Sequence, residues 1–204
     1  MGVSSKHLQG LRRSRASGFA AAALLCAAIA PTQSPAQSLQ ERLETCGTCH
    51  GETGNSKMEN TPSLAGQPAL FLTNQLILMR EKLRKSEVMA PFVTGLKDDE
   101  IIALAEHYAK LRPEPTGEPV DRALAARGKV LAEQLHCGSC HLPNYEGREQ
   151  MPRLAHQRID YLILSLTAYR DGTRSGIDTS MNGAMYGVSE QDIRALAHHA
   201  ASIR

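Results

Sequence analysis

The pattern Cys-x-x-Cys-His occurs twice in this chain, as Cys46-Gly47-Thr48-Cys49-His50 and as Cys137-Gly138-Ser139-Cys140-His141. Two thiols on one short turn can each form a thioether to a haem vinyl group, and the adjacent imidazole then reaches the iron from one face of the ring. That combination is the attachment site of c-type haem. It constrains the fold more than any local propensity, because each motif requires a pocket built around a large flat group. Two other chemistries use paired cysteines. A four-cysteine zinc site is one, but zinc ribbons place their pairs much closer than Cys46 and Cys137, and zinc needs no His directly after each pair. Disulfides are the other, yet a disulfide closed over two residues is more often catalytic than a staple. Haem attachment is the preferred reading, with zinc and disulfide as the alternatives.

The N-terminus reads as an export signal rather than part of the fold. Lys6, Arg12, Arg13 and Arg15 form a basic stretch, Gly18 to Ala30 is apolar, and Ser34-Pro35-Ala36 ends in small residues. Cleavage is expected near Ala36, with an uncleaved anchor as the alternative, and Cys26 is read as a small hydrophobe that leaves with the signal. The apolar run is short for a membrane span, so at most peripheral membrane association is expected. Four of the 23 Lys+Arg residues and none of the 21 Asp+Glu residues lie in this stretch, which leaves 19 against 21. A mildly acidic mature chain does not point to a nucleic-acid partner.

The rest of the chain is written twice. Pro62-Ser63-Leu64-Ala65-Gly66-Gln67 matches Pro152-Arg153-Leu154-Ala155-His156-Gln157, and Phe71-Leu72 matches Tyr161-Leu162. Arg80 matches Arg170, Arg84 matches Arg174, Met89 matches Met181, and Ile101 to Ala105 matches Ile193 to Ala197. Between the copies, Pro113, Pro115 and Pro119 disfavour helix and give a stiff spacer. The expected organisation is therefore a signal peptide at 1–36, one domain at 37–112, a proline-rich linker at 113–119 and a second domain at 120–204. Each domain is small for a polypeptide core alone, and a buried haem would supply the missing apolar mass.

Both copies read as helical. Helices are expected over Gln40 to Thr45 and Arg122 to Leu135, the latter capped by Asp121. A middle helix begins after Gln67 with Leu72, Leu76, Met79 and Leu83 at helical spacing. The last helices carry Ile101, Leu104, Ala105 and Tyr108, and Ile193, Leu196, Ala197 and Ala200, on one face. Ser189 with Asp192 resembles a capping box, whereas the first copy has Lys97 at that position. No period-2 run appears, so the fold class is all-α.

Together the paired motifs, the P-x-L-A-x-Q segments, the R-x-x-x-R stretches and a Met ahead of a final amphipathic helix resemble class I cytochromes c in tandem, most closely the cytochrome c4 family. The resemblance covers nearly the whole mature chain. It implies two class I cytochrome c domains, each wrapped around one covalently bound haem c, in a periplasmic electron carrier that is not an enzyme. Its implied partners are a quinol–cytochrome c oxidoreductase as donor and a terminal oxidase as acceptor. The second copy departs from the family pattern. It has Leu142 after the motif where the first has Gly51, His156 for Gly66, and Ala200 for Tyr108, so its haem pocket is expected to differ in packing or exposure.

Cys46, Cys49, Cys137 and Cys140 are the expected attachment points, with His50 and His141 the proximal ligands. A thioether is a soft neutral ligand that favours ferrous iron. Met89 lies 43 residues after Cys46 and Met181 lies 44 after Cys137, each seven before Leu96 or Val188. That repeat selects Met89 and Met181 as sixth ligands, with Met185 the rival for the second haem and Met79 a core residue. His107, His156, His198 and His199 are read as surface or packing residues. By resemblance, Pro62 and Pro152 place a carbonyl on the proximal His N–H. Arg80, Arg84, Arg170 and Arg174 are candidates for haem propionates, the alternative for each being a solvated helix face. Two further functions would use the same motifs: an electron-accepting subunit of a dehydrogenase complex, and catalysis or gas binding at an open haem.

Overall fold

Helix formation follows the amphipathic stripes and their caps. The computed structural model describes residues 37–203, so the expected signal peptide at 1–36 lies outside the described residues. Along the chain run α1 (Leu39–His50), α2 (Ala69–Arg80), α3 (Ala90–Val93), α4 (Asp98–Lys110), α5 (Arg122–Gln134), α6 (Cys137–His141), α7 (Ile159–Arg170), α8 (Ser180–Met185) and α9 (Glu190–Ser202). Among the described residues the extended structure is one isolated bridge between Arg148 and Met151. The all-α expectation holds.

Starts and stops have local causes. Ser38 caps α1 in a capping box with Glu41, Asp121 accepts from the N–H groups of Ala123 and Leu124 at the head of α5, and Ser189 accepts from Asp192 N–H at the head of α9. At α4 the cap position holds Lys97, which offers no acceptor, and Glu100 Oε2 takes the Lys97 N–H at 2.8 Å instead. The helix expected over Gln40 to Thr45 continues through the whole first Cys-x-x-Cys-His motif. In the second copy the chain breaks before its motif, because His136 adopts a left-handed conformation with φ of 56° between α5 and α6.

The last helix of each copy crosses the first. Glu100 and Asp192 stand at matching positions on α4 and α9, and each takes an arginine from the first helix of its copy: Arg42 at 2.8 Å and Arg127 at 2.6 Å. The α5–α9 crossing is so close that a Cβ on Gly128 would lie 2.0 Å from the Ala195 carbonyl oxygen. Ile101 and Ile193, fully buried at matching positions, centre the two cores.

The copies are clasped by two buried glutamines. Gln67 Nε2 donates to Arg153 O (2.9 Å) and its Oε1 accepts from Arg153 N–H (3.0 Å). Gln157 does the same in reverse, donating to Ser63 O (3.0 Å) and accepting from Ser63 N–H (2.8 Å). The spacer is pinned to both sides: Asn55 bonds Arg112 O and Glu114 N–H, while Glu118 accepts from Ile159 N–H and pairs with Arg158.

Candidate functional site

The two motifs open on one continuous cavity of about 1020 Å³, lined by residues from both copies. Its walls are mainly apolar and include Cys46, Cys49, His50, Cys137, Cys140 and His141. Each motif histidine is buried and held by one bond: His50 Nδ1 to Pro62 O at 2.8 Å, and His141 Nδ1 to Pro152 O at 2.9 Å. A carbonyl only accepts, so each Nδ1 carries the proton and each Nε2 keeps its lone pair. Burial lowers the pKa of both imidazoles, which keeps them neutral and able to bind metal. Burial also raises the Cys46 and Cys137 thiols. Among the described residues no group of three or more His, Cys, Asp and Glu side chains comes together as a metal cluster.

All six methionines of residues 37–203 line the cavity. Met89 packs against Val93, Leu96, Ile101 and Leu104, and Met181 packs against the matching cluster of the second copy. Met185 is 3 % exposed at the position where the first copy has Val93 at 1 %. Valine has no donor atom, so the first copy has no counterpart to Met185 as a ligand, while Met181 and Met185 both line the cavity on the side of the second. Met79 packs in the first core and also reaches the cavity.

The four arginines separate into two pairs. Arg84 and Arg174 enter the cavity wall and meet across the two copies. Arg84 donates to Gln75 Oε1 (2.6 Å) and Tyr161 Oη (3.4 Å); Arg174 donates to Gln75 Oε1 (3.2 Å), Tyr161 Oη (3.3 Å) and Ser165 Oγ (2.8 Å). No carboxylate is among these partners, and the buried Arg174 Nε has no hydrogen-bond partner. Burial raises the Tyr161 phenol, but Arg174 and Arg84 more than offset it and bring it to about 7. A buried and a half-buried guanidinium sharing only a phenol and neutral oxygens make a site that fits further anions, as the propionates of two haems would supply. Arg80 and Arg170 depart from the expectation. Arg80 is held by Asp98 (2.7 Å), Glu81 (2.8 Å) and Leu96 O (2.9 Å), and Arg170 by Asp171 (2.7 Å); neither lines the cavity. Each has an acidic neighbour on the solvent side, which a helix-surface arginine reaches at less desolvation cost.

Gln75 and Ser165 were not singled out by the sequence, and Tyr161 only as the repeat partner of Phe71, although Gln75 and Ser165 occupy matching repeat positions ahead of Arg84 and Arg174. A second pattern was also hidden. The ring of Tyr108, buried on α4 with its hydroxyl against Cys46, lies over Gly54, where a Cβ would sit 3.0 Å from Tyr108 Cδ1. In the second copy the matching α9 position is Ala200, and the position matching Gly54 is Tyr145, buried beside Cys137. Burial, with Cys137 adding to it, pushes the Tyr145 phenol up to about 12. The ring comes from the last helix in the first copy and from the loop after the motif in the second, packed in each case against a motif cysteine. Even the neighbouring ring contact persists: His107–Tyr108 centroids are 5.3 Å apart at 90°, and Tyr145–His199 centroids are 5.6 Å apart at 88°. The expected packing difference is therefore present in its residues.

A fold of two small helical copies, each presenting a Cys-x-x-Cys-His motif to a largely apolar cavity with methionines in its wall, defines a dihaem class I c-type cytochrome. Residues 125–203 match the family model for cytochrome c. The chain is 30 % identical to cytochrome c4 of Pseudomonas aeruginosa, over 78 % of this chain and 84 % of the relative. It is also 30 % identical to a thiosulfate dehydrogenase electron acceptor of Stutzerimonas stutzeri, over 78 % of each. The crystal structure of reduced cytochrome c4 from Pseudomonas stutzeri superposes with a TM-score of 0.74 at 29 % identity, covering 83 % of this chain and all of that one. The chain belongs to the cytochrome c4 family, an electron-transfer protein with two covalently bound haem c groups.

Proposed function

We propose that the chain is a periplasmic electron shuttle with two His/Met-ligated haems and no catalytic site of its own. Cys46 and Cys49 attach one haem, Cys137 and Cys140 the other. His50 and His141 would bind iron through Nε2, and Met89 and Met181 would supply the second protein ligand of each iron and so exclude exogenous ligands. Each haem, when bound, supplies a ferric/ferrous couple. The carbonyls of Pro62 and Pro152 hold the two imidazoles in the Nδ1–H tautomer. Arg84 and Arg174 would neutralise haem propionates. Residues 1–36 act as the cleaved export signal, and 37–112 and 120–204 as the two domains joined by 113–119. Among the described residues no helix is long and apolar enough to cross a membrane. The donor in this reading is a quinol–cytochrome c oxidoreductase and the acceptor a terminal oxidase.

The observation that carries this reading is the placement of both Cys-x-x-Cys-His motifs and both Met89 and Met181 on one cavity. A relative named as a thiosulfate dehydrogenase electron acceptor favours a second reading, in which the same two haems accept electrons from a dehydrogenase. The test of the shared core is an optical spectrum of the dithionite-reduced holoprotein before and after carbon monoxide. An unchanged spectrum is expected. A shift in about half of the haem would mean that one iron lacks a stable sixth ligand, and would replace the carrier reading with open-haem chemistry. Co-purification of a dehydrogenase, with electron transfer from it faster than from a quinol oxidoreductase, would select the second reading.

A further inference from the structure

The peptide group joining Pro62 to Ser63 is bonded at both ends. Its carbonyl oxygen accepts the His50 Nδ1–H at 2.8 Å, and its N–H, on Ser63, donates to Gln157 Oε1 of the other copy at 2.8 Å. The peptide joining Pro152 to Arg153 repeats the arrangement: the carbonyl accepts His141 Nδ1–H at 2.9 Å, and the Arg153 N–H donates to Gln67 Oε1 at 3.0 Å. Each motif histidine is therefore the start of a short relay that ends on a glutamine of the opposite copy. Both glutamines and Ser63 are almost completely buried, so water does not compete for the Gln157–Ser63 bonds, and the Gln67–Arg153 bonds are part-buried.

An amide whose N–H is engaged by an acceptor carries more negative charge on its oxygen, and hydrogen bonds in series strengthen one another. A stronger acceptor draws harder on the histidine Nδ1–H and makes the imidazole a better donor to iron. Simple packing would account for a buried glutamine touching the other copy. It does not require that each glutamine pair with the backbone N–H and C=O of the residue whose N–H lies on the peptide that also holds the proximal histidine, as both do here.

We propose that Gln157 is a positioning residue for the haem of the first copy and Gln67 for that of the second, each setting the donor strength of the opposite copy's proximal histidine. The inference rests on His50 and His141 being the iron ligands. It makes the clasp between the copies part of the redox machinery: loosening the interface weakens both imidazole donors and raises both potentials.

The test is the variant Gln157→Leu in the holoprotein, read by proton NMR of the ferrous state and by redox titration resolved for each haem. The His50 Nδ1–H resonance moves to higher field and the first haem's midpoint rises, while the His141 resonance and the second haem's midpoint stay in place. Gln67→Leu gives the reverse pattern. Should Gln157→Leu not yield holoprotein, Gln157→Glu keeps the shape and presents a stronger acceptor to Ser63 N–H; the His50 Nδ1–H then moves to lower field. Equal movement of both histidines, movement of His141 alone, or no movement of either would overturn the proposal. Absence of iron-bound imidazole signals in the unmodified protein would overturn the ligand assignment and the proposal with it.

Discussion

The exchange of tyrosine between helix and loop makes a quantitative prediction about the second copy. Tyr145 is 7 % exposed and packs with Leu196 and Met185, and Ala200 is 6 % exposed on α9. Tyr145→Gly removes a buried aromatic ring at a backbone position that glycine tolerates, since φ there is 53°. Deleting a buried aromatic side chain costs about 3–5 kcal/mol. Ala200→Tyr by itself places a second ring in filled space and costs about 1–3 kcal/mol from overpacking. If the two sites share one volume, as Gly54 and Tyr108 do, the double variant regains the ring and both penalties largely cancel. The expected coupling is then at least about 2 kcal/mol in a double-mutant cycle, within the range for residues in contact. Urea unfolding of the four holoproteins, followed by far-UV circular dichroism, measures it through the midpoint. Additive effects within about 0.5 kcal/mol would refute the reasoning, because they would mean the two positions do not compete for the same space.

Further perturbations separate ligand from packing and charge from solvent. Met181→Val should open the second haem to carbon monoxide, whereas Met185→Val, which installs the residue of the first copy, should leave the spectrum unchanged and cost about 1–2 kcal/mol by urea midpoint. Arg174→Leu should lower haem retention and move the reduction midpoints, since it removes a buried guanidinium with an unbonded Nε; Arg170→Leu should move neither, because its partner Asp171 is a solvent-side carboxylate. Asp160 accepts from Asn60 N–H of the first copy and pairs with Arg158. Burial raises its pKa, but Arg158 and the Asn60 and Tyr161 N–H groups outweigh that and hold it below the usual 3.8. A depressed carboxyl contributes stability that is complete above its unfolded value and is lost as pH falls through its folded value. The urea midpoint should therefore drop below about pH 4, and Asp160→Asn should flatten that drop; an unchanged pH profile would remove Asp160 from the account.

Much of the architecture was legible because it is periodic or repeated. The helical stripes and the caps at Asp121 and Ser189 place α1, α2, α4, α5 and α9, and the 90–92-residue offset carries α2 over to α7. The short α3, α6 and α8 escaped, since helices of four to six residues are too brief to show a stripe. At the cavity, the motif cysteines and histidines, Met89 and Met181 stand out by repetition. Arg80 and Arg84 could not be told apart by the same means, because both repeat. What separates them is whether a carboxylate lies within reach on the surface, and that depends on the fold around them.

Glycine placement marks the boundary most clearly. Gly51, Gly54 and Gly66 have positive φ in the first copy, and the matching Leu142, Tyr145 and His156 have φ of 70°, 53° and 61° without being glycine. Left-handed backbone costs an ordinary residue about 1–2 kcal/mol, so the second copy keeps these turns against local preference. It does so because the same bonds hold them, as where Gly54 O and Tyr145 O each accept two N–H groups from the following strand of chain. The amino-acid sequence by itself determined that two haem motifs sit in two copies of one helical unit, since covalent chemistry and hydrophobic period are local. Only the tertiary structure decided which arginines face the cavity, where the aromatic ring comes from, and that each copy's glutamine braces the other copy's histidine. Those depend on contacts between residues far apart in the chain, where packing and buried hydrogen bonds outweigh local propensity.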